Sequence, residues 1–245
     1  MVLFMFLGVL GMNLLACLLI LLRKAIYHTK LYTPMLKNLA LSFFPGVLLL
    51  LCASISLGLI MTDQPGLTKP TAPIGVAIGV LGFFFWLLFL PNSGYLITEL
   101  NFNHRGLDEK EVPFFYDLIA VLSLAVSGIF NTCLNVVFIQ AIYIAVTSYV
   151  LGINHISQYS LSWVIVVGLF LLVSIGIYFG RYIRFNSWDV LKPSHFIKKI
   201  RDHFRLKENR VSFLLYALLY TLFFSLFYLT GMATILPDFF IFLFS

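Results

Sequence analysis

The amino-acid sequence predicts an all-α fold: a polytopic membrane protein built as a six-helix transmembrane bundle, with one short amphipathic helix at its cytoplasmic face. Hydrophobic residues make up 61% of the 245 residues and charged residues only 11%, with mean hydropathy +1.00, too little charge to cover a soluble domain. Six uncharged apolar runs, 2–22, 39–61, 73–98, 118–151, 162–180 and 211–236, are each long enough to cross roughly 30 Å of hydrocarbon at about 1.5 Å per residue. Neither strand alternation nor barrel-like spacing is present, so helices are the spanning elements, in one integral domain over 1–245. Basic residues segregate as well. With six spans, 15 of the 16 lysines and arginines share one side and Lys69 stands alone on the other. The positive-inside rule makes the basic loops cytoplasmic and puts both termini outside.

The first run reads as a spanning helix rather than a cleaved leader, because its positive charges follow the apolar stretch instead of preceding it. The fourth run would make a helix of roughly 50 Å. Two short spans with a turn near Gly128 to Thr132 are the alternative, but they leave 6 basic residues inside and 10 outside. The charge rule therefore selects one long helix, with a re-entrant dip as the residual alternative. On it Ser123, Ser127, Asn131 and Asn135 recur every fourth residue and form a polar stripe. Such a stripe faces the bundle interior, as interhelical glue or as the wall of a water-filled path. Gly75 with Gly79, and Gly176 with Gly180, have the spacing of close helix contacts. After Pro193, residues 194–206 place Phe196, Ile197, Ile200 and Phe204 on one face, with Lys198, Lys199, Arg201 and Arg205 largely off it and Ser194 as N-cap. That is an interfacial helix with its cations near anionic headgroups. Cys17, Cys52 and Cys133 all lie inside spans, which supports neither a disulfide framework nor a zinc cluster.

Polar residues gather at the cytoplasmic ends. The third span closes as FLPNSGYLITEL (89–100), where Pro91 predicts a kink and Asn92, Tyr95 and Glu99 share a helical face. Asp117 opens the fourth span at the positive end of a helix dipole. The fifth span leaves as GRYIRFNSWD (180–189), with Arg181 and Arg184 on adjacent turns of one face. Asn38, at the inner end of the second span, reaches the same depth as Asn92, Tyr95, Glu99, Asp117, Arg181, Arg184, Asn186 and Asp189. One reading is a set of interfacial caps and salt bridges, with Trp188 in the headgroup belt. The other is a cytoplasm-facing pocket in which paired guanidiniums bind a phosphate or carboxylate, Glu99 or Asp117 acts as base or ligand, and Asn92 and Tyr95 orient. The spacing of Glu99, His104, Asp117 and Asp189 matches no metal signature, so no metal is assigned. No Asp, Glu, His, Lys or Arg lies near the middle of any span, which weighs against ion-driven transport.

The runs NLALSFFP (38–45), LPNSGYLITEL (90–100), FYDL (115–118) and GRYIRFNSWD (180–189) together resemble domain-of-unknown-function family 1361, a group of predicted bacterial integral membrane proteins. The resemblance covers about 38–232 and leaves 1–37 as an extra span with a basic loop. It implies a bacterial plasma membrane location and supplies neither a catalytic residue nor a cofactor. Glu99 stands where the family usually has Asp. Gly94 replaces a common second proline, which predicts a softer kink. The expected partners are the bilayer, an anionic lipid and a membrane-protein partner, with no nucleic acid. The leading expectation is a pocket for an anionic lipid headgroup or a phosphorylated lipid-linked ligand. The alternatives are a non-enzymatic assembly factor whose polar cluster is structural and, third, a transporter; the sequence does not decide whether the protein is an enzyme.

Overall fold

In the computed structural model, which describes residues 2–62, 71–101, 112–150, 155–184 and 193–231, six helices are long and apolar enough to cross a membrane, and no strand occurs among the described residues. The protein is a multi-pass membrane protein. α1 (Val2–Tyr27) and α2 (Thr33–Met61) are followed by α3 (Ala72–Phe89). After α3 come the single turn α4 (Pro91–Gly94) and a 3₁₀ segment, Tyr95–Asn101. α5 (Phe114–Val150) precedes α6 (His155–Tyr178), which winds directly into a π-helical turn, Phe179–Ile183. α7 (Pro193–Phe204) and α8 (Lys207–Gly231) complete the order.

α5 is the axis of the bundle. It is one unbroken helix of 37 residues that passes through Gly128 and Thr132 without a turn, as the charge distribution requires. Of its apolar stretch 78% is buried, against 44% for α6 and 17–22% for the other four spans. α2 pairs with α3 and α6 with α8, while α1 lies along α5. α4 and the 3₁₀ segment wedge between α2, α5 and α6.

Missing side chains let these backbones meet. At Gly75 a Cβ would come within 2.8 Å of the Ser56 carbonyl oxygen, so α3 crosses α2 in near backbone contact. The other expected glycine contact joins α6 to the broken third span, where a Cβ at Gly176 would overlap the Pro91 ring. Gly94, expected to soften the kink, is instead clamped. Its Cβ position lies 3.0 Å from Ile177 and 3.1 Å from both Phe224 and Thr132, so packing fixes the break where a second proline is absent.

The two asparagines of the α5 stripe are taken up by neighbouring helices, whereas Ser127 donates to the Leu124 carbonyl of its own helix at 2.7 Å. Asn131 and Asn13 of α1 exchange two amide hydrogen bonds, both 2.9 Å, and Asn131 also donates to Ser42 of α2 at 3.0 Å. Asn135 accepts from the Trp86 indole of α3 at 2.8 Å. Thr132 meets Ser93 of α4 at 3.0 Å, and Ser42 donates to the Ser93 carbonyl at 2.7 Å. Further out, Gln140 bridges Ser162 of α6 at 3.0 Å and the Tyr228 hydroxyl of α8 at 2.5 Å. Every span therefore reaches α5 through at least one buried polar contact.

Gly176→Ala is expected to lower the thermal unfolding midpoint of the detergent-purified protein, by the 1–3 kcal/mol of roughly one overpacked methyl. Gly168→Ala, on the same helix with nothing near its Cβ position, should match or slightly exceed the wild type.

Candidate functional site

The basic end of the bundle is organised by a residue that sequence reasoning treated only as a topology signal. Arg23, in the last turns of α1, donates through Nε to Asp117 Oδ1 at 2.9 Å, with the two side chains 9% and 1% exposed. Asp117 lies in the first turn of α5, where the helix dipole adds to the attraction for its charge. The chain helps to hold the arginine. His28 takes a left-handed conformation (φ 53°), turning the backbone so that Thr29 Oγ1 lies 3.4 Å from both Arg23 Nη1 and the Arg23 carbonyl oxygen. Beside this pair Tyr116 donates to the Leu19 carbonyl at 2.8 Å and meets the Tyr27 ring edge-on at 5.1 Å.

Glu99 is committed as well. Asn38 of α2 donates to its Oε1 at 2.8 Å. The shared face expected for Asn92, Tyr95 and Glu99 is broken, because residues 95–101 wind as 3₁₀ rather than α-helix. At three residues per turn, the four-residue step from Tyr95 swings Glu99 about 120° away from it, toward α2. Asn92 and Tyr95 are half-buried.

Arg181 and Arg184 part for a similar reason. The π-turn adds a residue to the helical winding, so the pair no longer sits on successive α-turns of one face. Arg181 is half-buried, whereas Arg184 is exposed in a left-handed cap (φ 59°, ψ 50°) whose N–H bonds the Phe179 carbonyl. That conformation costs a non-glycine residue about 1 kcal/mol or more. Four tyrosines gather beside the π-turn where α6 meets α8: Tyr178 stacks on Tyr182 at 4.6 Å, Tyr216 on Tyr220 at 4.0 Å, and Tyr182 meets Tyr216 edge-on at 5.6 Å. Among the described residues, no carboxylate stands within ion-pair distance of Arg181 or Arg184.

α7 is fastened to this corner. The buried Tyr178 hydroxyl lies 2.9 Å from His203 Nε2 and 3.3 Å from the Asn209 carbonyl oxygen. Asn209 donates to the His203 carbonyl at 2.8 Å and Arg210 to the Phe204 carbonyl at 2.6 Å, so the last carbonyls of α7 are capped from α8. The helix starts at Pro193, one residue before the expected Ser194 cap, since proline suits a first helical position. Of its expected apolar face, Phe204 packs on Phe179 and Phe213, while Ile197 stays 53% exposed.

The nine residues expected at one depth thus fall into separate groups: Asp117 with Arg23, Glu99 with Asn38, and Arg181 beside the tyrosines. Asn92 and Tyr95 are half-buried, Arg184 is exposed, and Asn186 and Asp189 lie outside the described residues, as do Trp188 and His104. Sequence reasoning missed Arg23, Asn13, Tyr178 and His203. Asn13 did carry a signal, because an amide amid apolar residues needs a partner from another helix.

Arg23→Ala leaves a buried carboxylate without its cation and is expected to destabilise by about 3–5 kcal/mol. The double substitution Arg23→Met/Asp117→Leu should recover most of that loss, and Arg184→Ala should move the unfolding midpoint little. Thermal unfolding of the four proteins in one detergent tests the ordering.

Comparison with curated proteins returns no match, and neither does comparison with solved structures. The family model described as "Protein of unknown function (DUF1361)" matches residues 38–227, from the Asn38 contact with Glu99 to the last turns of α8. The match covers well over half of the chain and all but the first of its spans, and on it this membrane protein belongs to the DUF1361 family.

Proposed function

We propose that this protein binds an anionic lipid headgroup, or the phosphate of a lipid-linked molecule, at the corner formed by the π-turn, α7 and α8. The corner faces the cytoplasm of a bacterial plasma membrane in this reading, with the termini outside, since the basic ends of the spans gather there. One observation carries it. Arg181, half-buried on the π-turn beside a tyrosine cluster, has no carboxylate within ion-pair distance among the described residues, while Asp117 and Glu99 are held by Arg23 and Asn38.

A guanidinium in partly desolvated surroundings favours a planar oxyanion and can meet it with two parallel hydrogen bonds. Arg184, exposed just beyond, supplies a second fork. Lys198 and Arg201, exposed on α7, extend the positive field along the headgroup plane. Tyr182, 54% exposed, has the amphipathic character that suits the membrane boundary. Asp117 and Glu99 are positioning residues here: their hydrogen bonds fix the entries of α5 and the 3₁₀ segment. The role is binding, and no bond-making step is assigned.

Native mass spectrometry of the detergent-purified protein with added phosphatidylglycerol tests the reading. Wild type should retain the lipid, and Arg181→Ala/Arg184→Ala should lose at least tenfold in retention, since each charge-assisted bond is worth about 1.5–3 kcal/mol. The unfolding midpoint should stay close to that of wild type. Equal retention in a folded double mutant would overturn the proposal.

A further inference from the structure

We infer a second lipid site, separate from the basic corner: the crevice between α1 and α2 over α5 holds a single lipid acyl chain. The crevice encloses about 150 Å³, with Phe6 on one wall, Phe43, Gly46 and Leu50 on the other, and Leu134 and Phe138 at its floor. Gly46 lies near the middle of α2 and Phe6 near the start of α1, well away from Arg23 and Lys37, so the opening is at hydrocarbon depth.

Its chemistry selects the occupant. Ser42, Asn131 and Asn135 also border the space, but their polar groups are spent on one another, on Asn13 and on Trp86. What remains to face an occupant is hydrocarbon. Water needs two to four polar partners, and a headgroup needs more, so neither is held there. The volume is of the order that accepts a benzene-sized group, enough for part of one chain and too small for a fused ring system. The local sequence of α2 keeps the space open. Pro45 lacks the ladder N–H, and Gly46 has no side chain where α2 passes α5. A Cβ at 46 would rest 3.5 Å from Asn135 Nδ2, and anything larger would project into the crevice.

The test reconstitutes the full chain in phosphatidylcholine vesicles carrying a small share of phosphatidylcholine with a diazirine on one acyl chain. After irradiation the adducts are mapped by mass spectrometry. Adducts at Phe6, Val47 and Leu50 should exceed those at Leu218 and Leu222, lipid-exposed positions on α8, at least fivefold. Gly46→Leu should cut crevice labelling to the α8 level and leave α8 labelling unchanged. Leu50→Trp, which narrows the mouth from its exposed side, serves if Gly46→Leu fails to fold. Equal labelling of crevice and α8, or crevice labelling indifferent to a folded variant, would overturn the inference. So would cross-links joining two copies of the chain through the crevice without lipid adducts. The probe is zwitterionic, so the outcome is independent of anion binding at Arg181.

Discussion

In hydrocarbon a polar group has no solvent to turn to, and the side-chain amides on α5 must therefore be answered by other helices. Asn131 alone engages α1 and α2, Asn135 engages α3, Thr132 engages α4, and Gln140 engages α6 and α8. Each such bond contributes only about 0.6 kcal/mol in a membrane, so packing supplies most of the stability. The bonds set register instead. A helix that slid by one turn would leave two or more amides unanswered, at 1–3 kcal/mol or so apiece. The break at Leu90–Pro91 depends on the same seam, because the Ser93 carbonyl that leaves the regular helix accepts from Ser42, itself held by Asn131.

The basic end obeys the same constraint with charges. Removing an ion from water costs several kcal/mol, and Asp117 and Arg23 offset this through a direct contact, a helix dipole and Thr29. The first span is thereby integral to the bundle although the family match begins after it. The pairing also separates two kinds of polar residue. Asp117 and Glu99 are tied into helix entries near α1 and α2, and Arg181 and Arg184 lie at the end of α6, where the exposed acids Asp202 and Glu208 are outnumbered by the basic residues of α7 and α8.

At the α6–α8 corner an irregular backbone meets an aromatic cluster. π-turns and left-handed non-glycine residues are strained and tend to mark functional positions. Here the turn carries Arg181 and begins one residue after Tyr178, the residue that fastens α7. Arg181 and the seating of α7 are thus linked through a few covalently continuous residues.

By itself the sequence determined the number of spans, the continuity of α5, the break at Pro91 and the inward facing of the Ser123–Asn135 stripe. Hydrophobic length, proline chemistry and the cost of a lipid-exposed amide each act locally, and their signals survive in one dimension. Only the tertiary structure decided which polar residue answers which. Asp117 chose Arg23 over the distant arginines because α1 lies along α5. Glu99 turned to Asn38 because the chain winds as 3₁₀ after Gly94, and Arg184 left the face of Arg181 because a π-turn intervenes. Partner choice depends on helix contacts and on fractions of a turn, and spacing counted at 3.6 residues cannot register a change of winding.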